Sequence, residues 1–90
     1  MLLRDSDGFL ASFKQACRNL GGESWDQNTP LVFAKVRQQL RGFMAGKMPP
    51  HSLEKYCDIA EQVLSGQLRE GDARFAFIGV DMAEGEQNRS

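Results

Sequence analysis

Two cysteines, one histidine and a row of three carboxylates are the side chains whose types and spacing could do chemistry. Cys17 and Cys57 stand far apart in the chain, and His51 is the only imidazole. Together they offer at most three soft ligands, none at the close cysteine spacing of a structural zinc site. Both cysteines fall on apolar helical stripes, where a small buried thiol is the ordinary reading. Nucleophilic catalysis would need one of them exposed beside His51, yet His51 follows Pro50 at a helix entrance. Glu54, Asp58 and Glu61 recur at i, i+4 and i+7 and form an acidic ridge on the outer face of one helix. Acid–base work needs two carboxylates in a cleft with separated pKa values, and such a ridge supplies no cleft. Neither a phosphate-cradling glycine loop nor a nucleophile elbow occurs. The expectation is a protein that is not an enzyme, with no catalytic residue, no metal site and no cofactor.

The charge pattern points elsewhere. From Gln27 to Leu53 there is no Asp or Glu, while Lys35, Arg37, Arg41 and Lys47 all lie there. The flanking segments are acidic, and the whole chain carries a formal net charge of −1 with a pI near 5.7. That balance argues against a protein that coats DNA, which is usually strongly basic. It leaves one electropositive segment as a candidate face for an acidic partner. Arg37 and Arg41 are four apart and project from one flank of a helix, with Lys35 on the other. A helix-turn-helix reading is weak, because a Pro-Pro linker separates the second and third helices where that motif has a tight turn. A second such unit, with Arg69 and Arg74 near a recognition helix, is opposed by Glu70 and Asp72.

Four segments must position these residues. At 90 residues the chain makes a single domain, and 41% hydrophobic residues with six Phe suffice for one core. Asp7–Leu20 reads as a helix, with Phe9, Leu10, Phe13, Ala16, Cys17 and Leu20 on one stripe. Ser6 or Asp7 can cap it and Gly21-Gly22 ends it. Thr29 offers a capping hydroxyl and Pro30 the first position of a second helix running to about Ala45, with Val32, Phe33, Val36, Leu40, Phe43 and Met44 inward. Gly42 within it implies either a close neighbour or an early end. A third helix, Leu53–Leu64, is capped by Ser52, buries Leu53, Tyr56, Cys57, Ala60, Val63 and Leu64, and closes at Ser65-Gly66. Ala73–Val80 reads equally as a buried strand or a short apolar helix. A strand would require a partner chain, since none in this sequence can pair with it, so a short fourth helix over about 72–83 is favoured.

The fold class is therefore all-α: a small bundle of three main amphipathic helices plus a short fourth C-terminal element, which would be a strand only in a dimer. Residues 1–83 form the helical domain and 84–90 a polar tail. The chain has no run long enough to span a membrane, no signal-peptide pattern and no disulfide framework, so a cytoplasmic protein is expected.

The function expected is that of a small regulatory or inhibitory module that occupies a partner protein's surface. Its candidate contacts are Trp25, Lys35, Arg37, Arg41, Lys47, Met48, Glu54, Asp58 and Glu61. Trp25 and Met48 lie in connections, where an interface anchor and a loop-packing residue are equally ordinary. The alternative is a nucleic-acid-binding regulator using the basic second helix. An apolar excess in the last segment also makes a homodimer an expectation.

Overall fold

A computed structural model describes residues 6–87, and side chains over 7–83. Its elements in chain order are α1 (Ser6–Gly21), a single 3₁₀ turn (Trp25–Gln27), α2 (Thr29–Phe43), α3 (Pro50–Leu64) and α4 (Glu70–Gln87). All described elements are helical, so the all-α class holds, and Ala73–Val80 is helix and not strand. The fourth helix is not a short closing element. Its 18 residues make it the longest of the set, and it runs past the expected limit at residue 83. Of the expected 84–90 tail, 84–87 are thus helical, and 88–90 lie outside the described residues.

Local chemistry explains where the helices stop. Gly22 follows α1 at φ +76° and Gly66 follows α3 at φ +81°, a backbone region in which L side chains are strained. After α3 the amide of Gln67 donates to the Gln62 carbonyl (2.8 Å) and that of Gly66 to Val63 (3.1 Å), the two-bond closure of a Schellman motif. Gly21 serves a different purpose. A Cβ there would stand 2.7 Å from both Trp25 Cβ and Val32 Cγ2, so the α1–α2 corner closes only over a residue without a side chain.

Two starts differ from the sequence reading. Thr29 is the first residue of α2, with Asn28 preceding it and making no side-chain cap bond. In α3, Pro50 is the first helical residue and Pro49 precedes it, so Ser52 lies in the first turn as a buried side chain and caps nothing. The reason is that proline's fixed φ suits the first helical position, which moves the start upstream of the serine. At α1, Ser6 and Asp7 are both inside the helix, and the residue before Ser6 is not among those described.

The helices bury their stripes against one another, with α3 packed on α4, α1 on α2, and α1 also meeting both α3 and α4. Phe13, Cys17, Val36, Tyr56, Cys57, Ala73 and Phe77 are almost entirely removed from solvent. An aromatic chain runs through the centre. Phe9 stands edge-on to Tyr56 (centroids 5.1 Å), Tyr56 lies 4.6 Å from Phe77, and Phe13 meets Phe33 at 5.8 Å. Edge-to-face and tilted pairs at these separations add attraction beyond the area they bury. The Tyr56 hydroxyl, carried by a side chain only 1% exposed, donates to Asp81 Oδ1 at 2.7 Å and ties α3 to α4.

Several apolar residues expected or available for the core stay outside. Leu20 ends at the rim of α1. Phe43 is 64% exposed, and Phe75 is 75% exposed on the outer face of α4 together with Ile78 and Met82.

Removing only the Tyr56 hydroxyl tests its hydrogen bonding, the bond to Asp81 included. Tyr56→Phe is expected to cost about 1 kcal/mol and Tyr56→Ala about 3–5 kcal/mol, measured by denaturant unfolding. Gly21→Ala, which forces Trp25 and Val32 apart, should destabilise by about 1–3 kcal/mol by the same measurement, in contrast to Gly42→Ala, which has open space around its Cβ.

Candidate partner-binding surface

The basic segment and the acidic ridge, separate in sequence, face each other. Arg37 enters from α2 and meets three carboxylates of α3: its Nη1 donates to Glu54 Oε1 at 3.1 Å, and its remaining nitrogens donate to Asp58 and Glu61. One turn on, Arg41 grips Glu54 with two bonds, Nε to Oε2 at 3.0 Å and Nη2 to Oε1 at 2.9 Å. The i, i+4 spacing of the arginines and the i, i+4, i+7 spacing of the acids thus match across the α2–α3 contact. Guanidinium is suited to this because its planar fork can serve several carboxylates at once.

The pairing is uneven in depth. The Arg37 side chain is 19% exposed, while those of Arg41 and Asp58 are 57% exposed. The hydrogen bonds to Glu61 and Asp58 hold the Arg37 guanidinium charged even against its burial. The hydrogen bond from Arg41 pulls the Glu54 carboxyl below its ordinary value, against the opposing effect of burial and with further help from Arg37. What sequence reasoning placed on two outward faces is, for Arg37, Arg41, Glu54, Asp58 and Glu61, an interhelical clamp. Two cations against three anions leave that face acidic, not basic.

The other expected contact residues divide. Met48 is buried in the core, 6% exposed, and so is a packing residue of the α2–α3 connection. Trp25 is half-buried in the 3₁₀ turn and packs against the core. Lys35 is exposed on α2 and forms no ion pair among the described residues. Lys47 sits in the connection with its Nζ 4.2 Å from the centroid of the Phe43 ring.

Phe43 itself was expected in the core. Its exposure follows from the early end of α2: the helix stops there, the Met44 amide N–H donates a hydrogen bond to the Leu40 carbonyl at 2.8 Å, and Gly46 at φ +80° turns the chain away. The result is an open cleft of about 490 Å³ at the corner between α1, α2 and the connection to α3. Phe9, Leu40, Phe43, Met44 and Met48 form its walls, Tyr56 lies at its base and Lys47 supplies its only charged side chain among the described residues. Only the break signal of Gly42 pointed towards it. The ion pair between Arg74 and Asp7, at 3.2 Å, was also missed, because it joins the two ends of the fold.

The two cysteines and the histidine lie in different surroundings. Burial, reinforced by Glu61 for Cys17, pushes both buried thiols up to about 11, so they are protonated and not nucleophilic near neutral pH. His51 is exposed at the start of α3. Among the described residues no three of His, Cys, Asp and Glu gather as metal ligands, and no helix is long and apolar enough to cross a membrane. No protein family matches the chain, and neither does any curated protein or solved structure.

Because Glu54 has a folded-state value below its unfolded one, its ionisation stabilises the fold. That contribution is fully present above about pH 4.3, the unfolded carboxylate value, and is lost as pH falls through the lower folded value. Glu54→Gln should therefore reduce stability by a few tenths to about 1 kcal/mol at neutral pH, with the deficit shrinking below about pH 4. Urea midpoints of both proteins from neutral to acid pH give the comparison. Arg37→Met, which leaves the three carboxylates without their common cation, should cost about 1–2 kcal/mol at neutral pH.

Proposed function

We propose that this protein is a non-enzymatic binding module that acts by occupying the surface of a partner protein. The observation that carries the reading is the open apolar cleft at the α2–α3 corner, with the solvent-facing Phe43 at its edge. Exposed aromatic and methionine side chains around a concavity are typical anchors of protein interfaces. The small size of the fold and the protonated, buried state of its thiols fit a role in which contact, not turnover, is the activity.

The clamp changes which residues face a partner. Arg37 and Arg41 hold α2 to α3, so the electropositive contribution of this region falls to Lys47 and Lys35. This favours the protein-binding reading over the nucleic-acid alternative, whose phosphate contacts would have drawn chiefly on the two arginines. Phe75, Ile78 and Met82 form a second apolar stripe, on which self-association would draw.

Affinity purification of the tagged protein from its native host, with and without nuclease, tests the reading. A single protein should be recovered at fixed stoichiometry, survive nuclease, and rebind when both purified components are mixed. Recovery that vanishes with nuclease, and direct binding whose affinity falls steeply with salt, would replace it with the nucleic-acid alternative.

A further inference from the structure

The cleft at the α2–α3 corner has a chemistry specific enough to describe what it takes. Its walls are mainly apolar, and among the described residues neither Asp nor Glu lines it. This follows from the acid-free run between Gln27 and Leu53, which supplies most of the lining. Of the four cations in that run, Arg37 and Arg41 are engaged by α3 and Lys35 points from α2 elsewhere. Lys47 alone stands at the cleft, and it forms no ion pair among the described residues.

The Lys47 ammonium is held beside the Phe43 ring at 4.2 Å. A cation over an aromatic face is partly oriented in advance, and an ammonium has three donors, so those turned away from the ring remain open to an acceptor. An apolar concavity and one aimed positive charge are thus adjacent. The geometry points to a partner segment that inserts a large apolar side chain (Leu, Phe or Trp) between Phe9, Leu40, Phe43 and Met44 while placing an Asp or Glu carboxylate on Lys47.

Three features select a peptide over other occupants. The volume, about 490 Å³, admits a bulky side chain with its neighbours. The cleft is open along one side, as a segment of another protein requires. Met44 and Met48 have unbranched, adaptable side chains that can fit themselves to an inserted group. A nucleic acid would find a single lysine there, enough for one phosphate contact. This inference rests on the protein-binding reading and adds the chemistry of the partner.

Selection of a random peptide library against the whole protein tests it separately from any cellular partner. The enriched peptides should carry Leu, Phe or Trp within one helical turn of Asp or Glu. They should bind Phe43→Ala and Lys47→Glu about tenfold or more weakly, and bind Phe75→Ser, an exposed α4 residue outside the cleft lining, unchanged. Exchanging the peptide's acid for Lys should restore binding to Lys47→Glu, an outcome that mere loss of fold could not produce. No enrichment, a basic or uncharged consensus, or indifference to the cleft substitutions would each overturn the inference. So would a change of oligomeric mass in Phe43→Ala, which would make a second copy of the chain the occupant. Each of these failures leaves the broader reading standing if a partner is recovered through another surface.

Discussion

Tyr56 is the contact on which the arrangement of this bundle turns. It sits near the middle of α3, removed from solvent, with Phe9 of α1 on one side and Phe77 of α4 on the other. A buried phenol must find an acceptor, and Asp81 supplies it. Ring packing alone would allow α4 to slide or rotate against α3, since apolar contacts are not directional. The hydrogen bond selects one register. Once α4 is fixed, its outer face is decided as well, and Phe75, Ile78 and Met82 face solvent because Ala73 and Phe77 face inward.

The clamp around Arg37 performs the same service on the other side of α3. Three carboxylates in a row repel one another, and a helix bearing them alone would be penalised by their spacing. A half-buried guanidinium shared among them removes that penalty and fixes α2 against α3. The two devices differ in cost. The tyrosine brings a neutral group into the core with its partner, whereas the arginine must surrender part of its hydration. Keeping Asp58 and Arg41 exposed limits that loss.

The early end of α2 links these structural devices to the surface. Arg41 is held by Glu54, so the helix is anchored one turn from its end, and Gly42 and Gly46 let the chain turn immediately afterwards. Phe43 falls at the break and leaves the core, while Met48 returns to it. Phe43 thereby departs from what helical periodicity implies, while Met48 takes the packing role, one of the two the sequence left open to it. The apolar cleft beside Lys47 is the consequence, and with it the surface best suited to hold another protein.

The amino-acid pattern by itself determined that the chain is helical, where α1 runs and where α3 ends, that Gly22 and Gly66 end them, and that both cysteines are interior. Those are local properties: spacing of apolar residues and backbone preferences act within a turn or two. It left Ala73–Val80 open, because apolar residues surround that helix and a stretch without a clear stripe has no single period. Only the tertiary structure decided that the basic and acidic residues meet each other, that Met48 is inside and Phe43 outside, and that α4 is the longest helix. Charge can be counted along a chain, but whether it faces a partner or its own neighbour depends on how helices are brought together. That is set by Tyr56, Arg37 and the close approach at Gly21, contacts between residues distant in sequence.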